Sequence, residues 1–381
     1  MVELFRHFLL LGCHSFGGPA AHLGYFQREF VERHQWVSQS HYQQLVALSQ
    51  FLPGPASSQV GFAIGYHRGG LAGAILAFIG FTLPSFLLMY GLAVMGSQWL
   101  NTELYQGLVH GLKLLAVVVV ADAVLTMWNS FCQRQITKIL AVGTAAGLWL
   151  LPGLITQFGL LLAAAALGCW RMASAQQANN PTGNSKGVSR IPLILFVTLL
   201  LGLPVVANHN IWFEFSNQFF QAGSWVFGGG HVVLPLLQNL LADNLPADQF
   251  LAGYAAAQAM PGPMFSLASY LGASLMPEQA LLAALIATLM IFLPGFLLIL
   301  GLQGYWQRLV QKPHLAGAVA GISASVVGLL IAALYQPLFI SSVASSFDMA
   351  LVVAGLLTLR ALKLPILWLV LAFATVGALG A

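Results

Sequence analysis

Apolar residues along this chain come in helix-length blocks, and several of those blocks are cut in the middle by glycine and proline. Residues 4–34 run from Phe5 to Ser15, stop at Phe16-Gly17-Gly18-Pro19, and resume from Ala20 to Phe30. Residues 38–67 repeat the plan, with Pro53-Gly54-Pro55 as the stop and a polar end at Tyr66-His67-Arg68-Gly69-Gly70. No half of either block reaches the roughly 20 residues that cross a bilayer. Full spans are predicted at 71–96 and 102–130, followed by a tight apolar pair, 137–151 and 153–172, hinged at Leu151-Pro152-Gly153. Residues 173–190 are hydrophilic, rich in Gln, Asn, Ser and Gly, and read as a flexible linker. A lone span at 191–207 follows.

The second half replays the first. Phe227-Gly228-Gly229 answers Phe16-Gly17-Gly18, Pro261-Gly262-Pro263 answers Pro53-Gly54-Pro55, and Phe292-Leu293-Pro294-Gly295-Phe296 answers Thr82-Leu83-Pro84-Ser85-Phe86, at offsets of 211, 208 and 210. Ser325-Val326-Val327-Gly328 echoes Ala116-Val117-Val118-Val119, and 347–362 with 364–380 close the half as a second tight pair. Chance predicts roughly a tenth of one Pro-Gly-Pro in such a chain, so two copies point to duplication. The organisation expected is an N-terminal repeat over 1–172, a linker and connecting span over 173–211, and a C-terminal repeat over 212–381.

Composition places these blocks in a membrane. Hydrophobic residues make up 59% of the chain and charged ones 6%, with a mean hydropathy of +0.83; a soluble domain carries about a quarter charged residues. The apolar segments are helix-length and lack the short alternation of a barrel, so the fold class is an all-α integral membrane protein. Met1 to Arg6 precede a short run broken at Gly12, which is not the pattern of a cleaved signal peptide. Cys13, Cys132 and Cys169 are scattered and imply no disulfide framework, zinc site or redox pair. Neither a cofactor nor a metal is expected, and a net charge of +4 reads as topology rather than nucleic-acid binding.

Charge also suggests orientation. If each broken block is a re-entrant hairpin, 13 of the 14 basic residues fall on one face, while Glu103, Glu214, Asp243, Asp248, Glu278 and Asp348 fall on the other. Positive charge marks the cytoplasm. Each repeat would then hold two hairpins and about four transmembrane helices, and the span at 191–207 would invert the second repeat. The competing arrangement makes each broken block a full crossing and moves Arg28 and Arg33 outside, beside Glu29 and Glu32.

Inverted repeats with discontinuous helices at the midplane are the plan of many secondary transporters. A half-helix that begins inside the bilayer offers free N–H groups and the positive end of its dipole, which suits an anion. Four could begin near the centre, after Pro19, Pro55, Gly230 and Pro263. The candidate binding residues are Ser15, Gly17, Gly18, Gln50, Gly54, Ser57, Ser58, Gly228, Gly229, His231, Gln258, Gly262 and Ser266, with Ser224 nearby. Each has a plainer reading. Gly and Pro serve packing in membrane helices, serines bond the preceding turn, histidines pack, and Gln50 or Gln258 cap broken ends. His14, His22, Lys113 and Asp122 are candidates for charge or proton coupling. Lys113 could equally snorkel to the outer headgroups, and Asp122 could sit idle near the inner interface. Nine residues separate these two charges on one helix, which puts them on opposite faces. Their counterparts, Ile322 and Ile331, are apolar.

These motifs resemble the chromate ion transporter family in its full-length, two-repeat form. The resemblance rests on Phe16-Gly17-Gly18-Pro19, on Gln50-x-x-Pro53-Gly54-Pro55 with Ser57, Gly61 and Gly65, and on Thr82-Leu83-Pro84-Ser85-Phe86. In the second half it rests on Phe227-Gly228-Gly229-Gly230-His231 with Pro235, and on Gln258-x-x-Pro261-Gly262-Pro263. It implies a multi-pass protein of the bacterial inner membrane that exports chromate and confers chromate resistance, with sulfate as a competitor. A departure is Val119, where the second half has Gly328. The expected mechanism is alternating access around a central oxyanion site, with the lipid bilayer and chromate as partners, no nucleic acid, and a homodimer as the oligomer considered. The rivals are uptake or exchange of sulfate, a membrane enzyme, and a non-transporting scaffold. Against an enzyme, the chain lacks His-Glu-x-x-His, Gly-x-Ser-x-Gly and a Walker loop.

Overall fold

Proline takes a donor out of a helix and clashes with the turn before it, and helices end at Pro53-Gly54-Pro55 and Pro261-Gly262-Pro263, whereas the single prolines Pro84, Pro204 and Pro294 lie inside helices. The computed structural model describes residues 1–16, 18–96, 102–172, 189–227, 233–241, 244–305, 312–362 and 364–380. Among these residues the secondary structure is helical throughout, with no strand.

In the first repeat α1 spans Val2–His14, and α2 spans Gly18–Phe26 and continues as a π-helical stretch, Gln27–Arg33. Helix α3 spans Gln39–Phe51, its first turn capped by the Ser38 side chain, which accepts from the His41 amide. Helix α4, Ala56–Gly96, leaves helical geometry at Gly69 and Gly70 and so forms two arms. Then come α5 (Glu103–Phe131), α6 (Gln135–Leu150), α7 (Leu154–Arg171) and the connecting α8 (Arg190–Val206). The second repeat holds α9 (Ile211–Trp225), α10 (Val233–Leu241) and α11 (Ala247–Ala259). A 3-10 turn, Met264–Ser266, leads into α12 (Leu267–Leu275). Helices α13 (Ala280–Leu302), α14 (Pro313–Ala333), α15 (Ser346–Arg360) and α16 (Ile366–Leu379) complete it.

The broken blocks fold back on themselves. His7 meets Glu29, Phe8 stacks on Phe30, and the His22 ring reaches the Ser15 carbonyl, so α1 and α2 run antiparallel. The next pair closes the same way, with His41 beside His67 at the mouth and Gln59 bonded to Pro53 at the tip. In the second repeat Gly253 packs on Tyr270 and Gln258 bonds Met264. Inside the first hairpin lie Phe8, Phe26, Phe30 and Phe81, all fully buried.

Among the described residues five helical stretches are long and apolar enough to cross a bilayer: Ala56–Gly96, Gln106–Phe131, Arg190–His209, Pro277–Leu302 and Pro313–Ser342. Helix α8 is the most peripheral. Only 11% of its apolar window is buried, and it turns Ile191, Ile194, Leu201 and Val205 outward, as lipid contact requires. The tail pairs contain shorter helices. Gln135–Leu150 and Ile366–Leu379 are short, below the roughly 20 residues of a crossing.

The tail pairs are also exchanged between repeats. Helices α6 and α7 pack along α14, and α16 and α15 pack along α5. Small residues allow this close approach: Gly168 and Gly321 at the α7–α14 crossing, Gly111 and Gly377 at the α5–α16 crossing.

Candidate substrate site at the crossed helix breaks

The Pro-Gly-Pro break of each repeat is held by the other repeat. The Gly54 amide donates to the Val226 carbonyl at 2.7 Å, and the Gly262 amide donates to the Ser15 carbonyl at 2.9 Å. These are the same bond made twice, since Ser15 and Val226, like Gly54 and Gly262, occupy equivalent places in the two repeats. The glycines are needed for the shape. Gly54 has φ +114° and Gly262 has φ +90°. A Cβ on Gly54 would sit 3.0 Å from the Gly295 Cα, and one on Gly262 would sit 3.0 Å from the Ser85 hydroxyl. Gly295 and Ser85 are themselves repeat counterparts, so the first long apolar stretch of each repeat backs the break of the other.

Hydroxyl groups gather here. Ser15, Ser57, Ser58 and Ser266 are at most 4% exposed. His22, equally buried, bridges two of them: Nε2 lies 3.2 Å from the Ser15 carbonyl and Nδ1 3.3 Å from the Ser57 hydroxyl. A carbonyl only accepts, so Nε2 carries the proton and the Ser57 hydroxyl donates to Nδ1. Among the described residues the hydroxyls of Ser15, Ser58, Thr82 and Ser266 have no partner. Each such orphan costs on the order of 1–3 kcal/mol. Helix N-termini lie beside them, and the turn after Pro263 has no side-chain cap, so its first amides are also free of the helix. Buried donors without acceptors fit an oxyanion. Gln59 is different: its Nε2 donates to the Pro53 and Gly295 carbonyls at 2.7 and 3.2 Å, and its buried Oε1 is an unpaired acceptor.

Several expected residues are not brought to the crossing. Gln50 is exposed, because the buried stripe of α3 is Tyr42, Leu45, Leu48 and Ser49, and one further residue rotates the chain by about 100°. Gln258 is half-buried and donates to the Met264 sulfur at 2.9 Å. The glutamine that engages the break is Gln59, whose burial follows from its place one turn into α4. His14 is exposed, off the Leu4-Phe8-Leu11 stripe of α1. The Ser224 hydroxyl bonds the Phe220 carbonyl at 2.7 Å, the plainer of its two readings. Gly18 opens α2 with φ +74°. Gly17, Gly228, Gly229 and His231 lie outside the described residues.

Lys113 and Asp122 have partners in the second repeat, and neither lies at the breaks. Lys113 Nζ is 2.6 Å from Asp248 Oδ1, in a cleft of about 410 Å³ also lined by His110 and Gln249. Asp122 Oδ1 is 3.3 Å from Arg360 Nε, and His110 Nε2 is 2.9 Å from Asp348 Oδ1. Helix α5 is thus tied to the second repeat by three polar contacts. Lys113 is 7% exposed, so Asp248→Ala leaves a buried ammonium unpaired. The Asp248 side chain is itself 69% exposed, and water screening reduces the expected loss to about 1–2 kcal/mol. Thermal melting of the purified variant measures it, with Lys113→Met/Asp248→Ala recovering part; an unchanged midpoint would mean that Lys113 reaches solvent without its partner.

A family model described as chromate transporter matches residues 2–169 and 213–378. A probable chromate transport protein of Synechococcus elongatus is 27% identical over 348 residues, covering 87% of this chain and 83% of its own. The chromate transport protein of Cupriavidus metallidurans is 25% identical over 348 residues, covering 87% and 81%. An uncharacterized transporter of Methanocaldococcus jannaschii is 24% identical over 339 residues, covering 87% and 83%. No solved structure matches the chain.

Proposed function

The chain belongs to the chromate transporter family, and on that footing we propose that it exports chromate across the bacterial inner membrane by alternating access, binding the ion at the crossed breaks. The observation that carries this is the reciprocal pair of bonds, Gly54 to Val226 and Gly262 to Ser15, together with the hydroxyls of Ser15, Ser58 and Ser266, which have no partner among the described residues. Chromate is a tetrahedral dianion, and amide and hydroxyl donors converging from two repeats replace its hydration shell without a buried cation. Movement of one repeat against the other breaks and remakes the reciprocal bonds, opening the site to each face in turn.

The two repeats are mounted in opposite senses. In support, the first repeat's hairpin mouths gather His7, His34, His41 and His67 where the long arm of α4 begins, while Asp248, in the first turn of α11, meets Lys113 in the first half of α5, the helix that follows the other end of that arm. An inside-negative potential drives each negative charge outward by about 2.3 kcal/mol per 100 mV, and a dianion by about twice that.

The test is flux into inside-out vesicles with chromate and sulfate in competition. Ser58→Leu and Ser266→Leu are expected to cut chromate flux at least tenfold at unchanged membrane levels. Wild-type flux in both variants removes the site from the breaks. Preferential efflux of sulfate from sulfate-loaded inside-out vesicles, the direction of entry into the cell, assigns the protein to sulfate uptake instead.

A further inference from the structure

A second cluster of titratable side chains lies at the mouth of the first hairpin, away from the breaks. His7 sits in the second turn of α1, with Nδ1 2.9 Å from Glu29 Oε1 and Nε2 4.0 Å from Glu3 Oε1. His34 follows the π-helical stretch; its Nε2 is 3.1 Å from the same Glu29 oxygen, and its ring centroid is 4.3 Å from that of His7. Glu29 Oε2 takes Arg33 at 3.4 Å. One ligand atom from each of Glu3, His7 and His34 lies within 4.8 Å of the other two.

The placement of protons decides what this arrangement can hold. The Glu29 carboxylate accepts, so His7 carries its proton on Nδ1. In the neutral ring Nε2 is then a bare lone pair, and it faces Glu3, another acceptor. Two acceptors so placed repel unless a metal cation or a second ring proton lies between them. A histidine whose far nitrogen is fixed by a carboxylate while the near one faces further ligands is the usual outer-shell arrangement of a metal-bound imidazole. The π-helical stretch supplies it: its wider turn brings Glu29 against α1, and such stretches frequently mark functional sites.

We propose that Glu3, His7 and His34 form a binding site for a divalent transition-metal ion of the zinc class, with Glu29 orienting His7. Two imidazoles and a carboxylate suit zinc and leave a fourth position open. Ligand bonds of about 2.0–2.2 Å require the three groups to draw together, which Glu3, 63% exposed at the start of α1, is free to do. The ion would staple the start of α1 to the chain leaving α2 and hold the hairpin mouth in one arrangement.

The test titrates Zn²⁺ into the full-length protein, purified in detergent with its affinity tag removed, against a chromophoric chelator. Wild type is expected to bind one equivalent that Glu3→Gln and His34→Gln each weaken at least tenfold, and Glu29→Gln is expected to weaken it 10–100-fold. Glu3→Gln changes an exposed first-turn side chain, so its elution profile should match wild type even if a histidine variant misfolds. Wild type binding less than one equivalent, or Glu3→Gln and His34→Gln binding as wild type does, overturns the proposal.

Discussion

Gly54→Ala and Gly262→Ala proteins are expected to reach the membrane and to lose at least nine-tenths of chromate flux. Both glycines sit at φ values that a side chain strains, +114° and +90°, and such backbone strain costs of order 1–3 kcal/mol. Space is lacking as well. The new methyl on residue 54 would lie 2.9 Å from Gln59 Nε2 and 3.0 Å from the Gly295 Cα; on residue 262 it would lie 3.0 Å from Ser85 Oγ and 3.1 Å from the Phe81 carbonyl. Relief comes only by shifting the break, which lengthens the Gly54–Val226 or Gly262–Ser15 bond and misplaces the amides beside it. About 1.4 kcal/mol of lost binding in the transport transition state is tenfold in rate. Vesicle flux normalised to protein level measures the effect. Undiminished flux in both variants would show that the reciprocal bonds can be broken without consequence and that the substrate passes elsewhere.

Gly321→Leu is expected to lower the stability of the whole protein, by about 3 kcal/mol or more. A Cβ on Gly321 would overlap the Ala164 carbonyl and stand 3.2 Å from the Gly168 Cα, while one on Gly168 would overlap the Gly317 carbonyl. These obstacles are backbone atoms that no rotamer change can clear, so α7 and α14 must separate. Because α7 belongs to the first repeat and α14 to the second, the wedge loosens the grip between repeats as well as a local contact. The melting midpoint in detergent should fall by several degrees, and Gly377→Leu, at the pseudo-equivalent α5–α16 crossing against Gly107, should behave alike. A melting curve indistinguishable from wild type would mean that the tail pairs are not held by these crossings.

Much of the fold was legible beforehand because it is local. Pro53-Gly54-Pro55 and Pro261-Gly262-Pro263 interrupt helices whatever surrounds them, and apolar stretches such as 71–96 announce their length. The repeat survives as spacing, so the order of elements in one half predicted the other. Gln50 proved exposed while Gln59 is buried against the break, because a one-residue change of helical phase separates an exposed side chain from a buried one and motif recurrence does not report phase. Lys113 and Asp122 looked like isolated charges because their partners, Asp248 and Arg360, lie far along the chain, in the other repeat. The Glu3, His7 and His34 cluster escaped notice for a similar reason, since only the antiparallel packing of α1 on α2 brings its two parts together.

The amino-acid order by itself determined where helices break, how many residues each arm contains, and that one plan is used twice; these follow from backbone donors, ring closure at proline and the length of apolar runs. Only the tertiary structure decided that each break is completed by the opposite repeat, that the tail helices change partners, and which polar groups remain without one. Those outcomes depend on which surfaces meet, and the meeting of surfaces hundreds of residues apart is settled by packing and charge pairing that no local stretch contains.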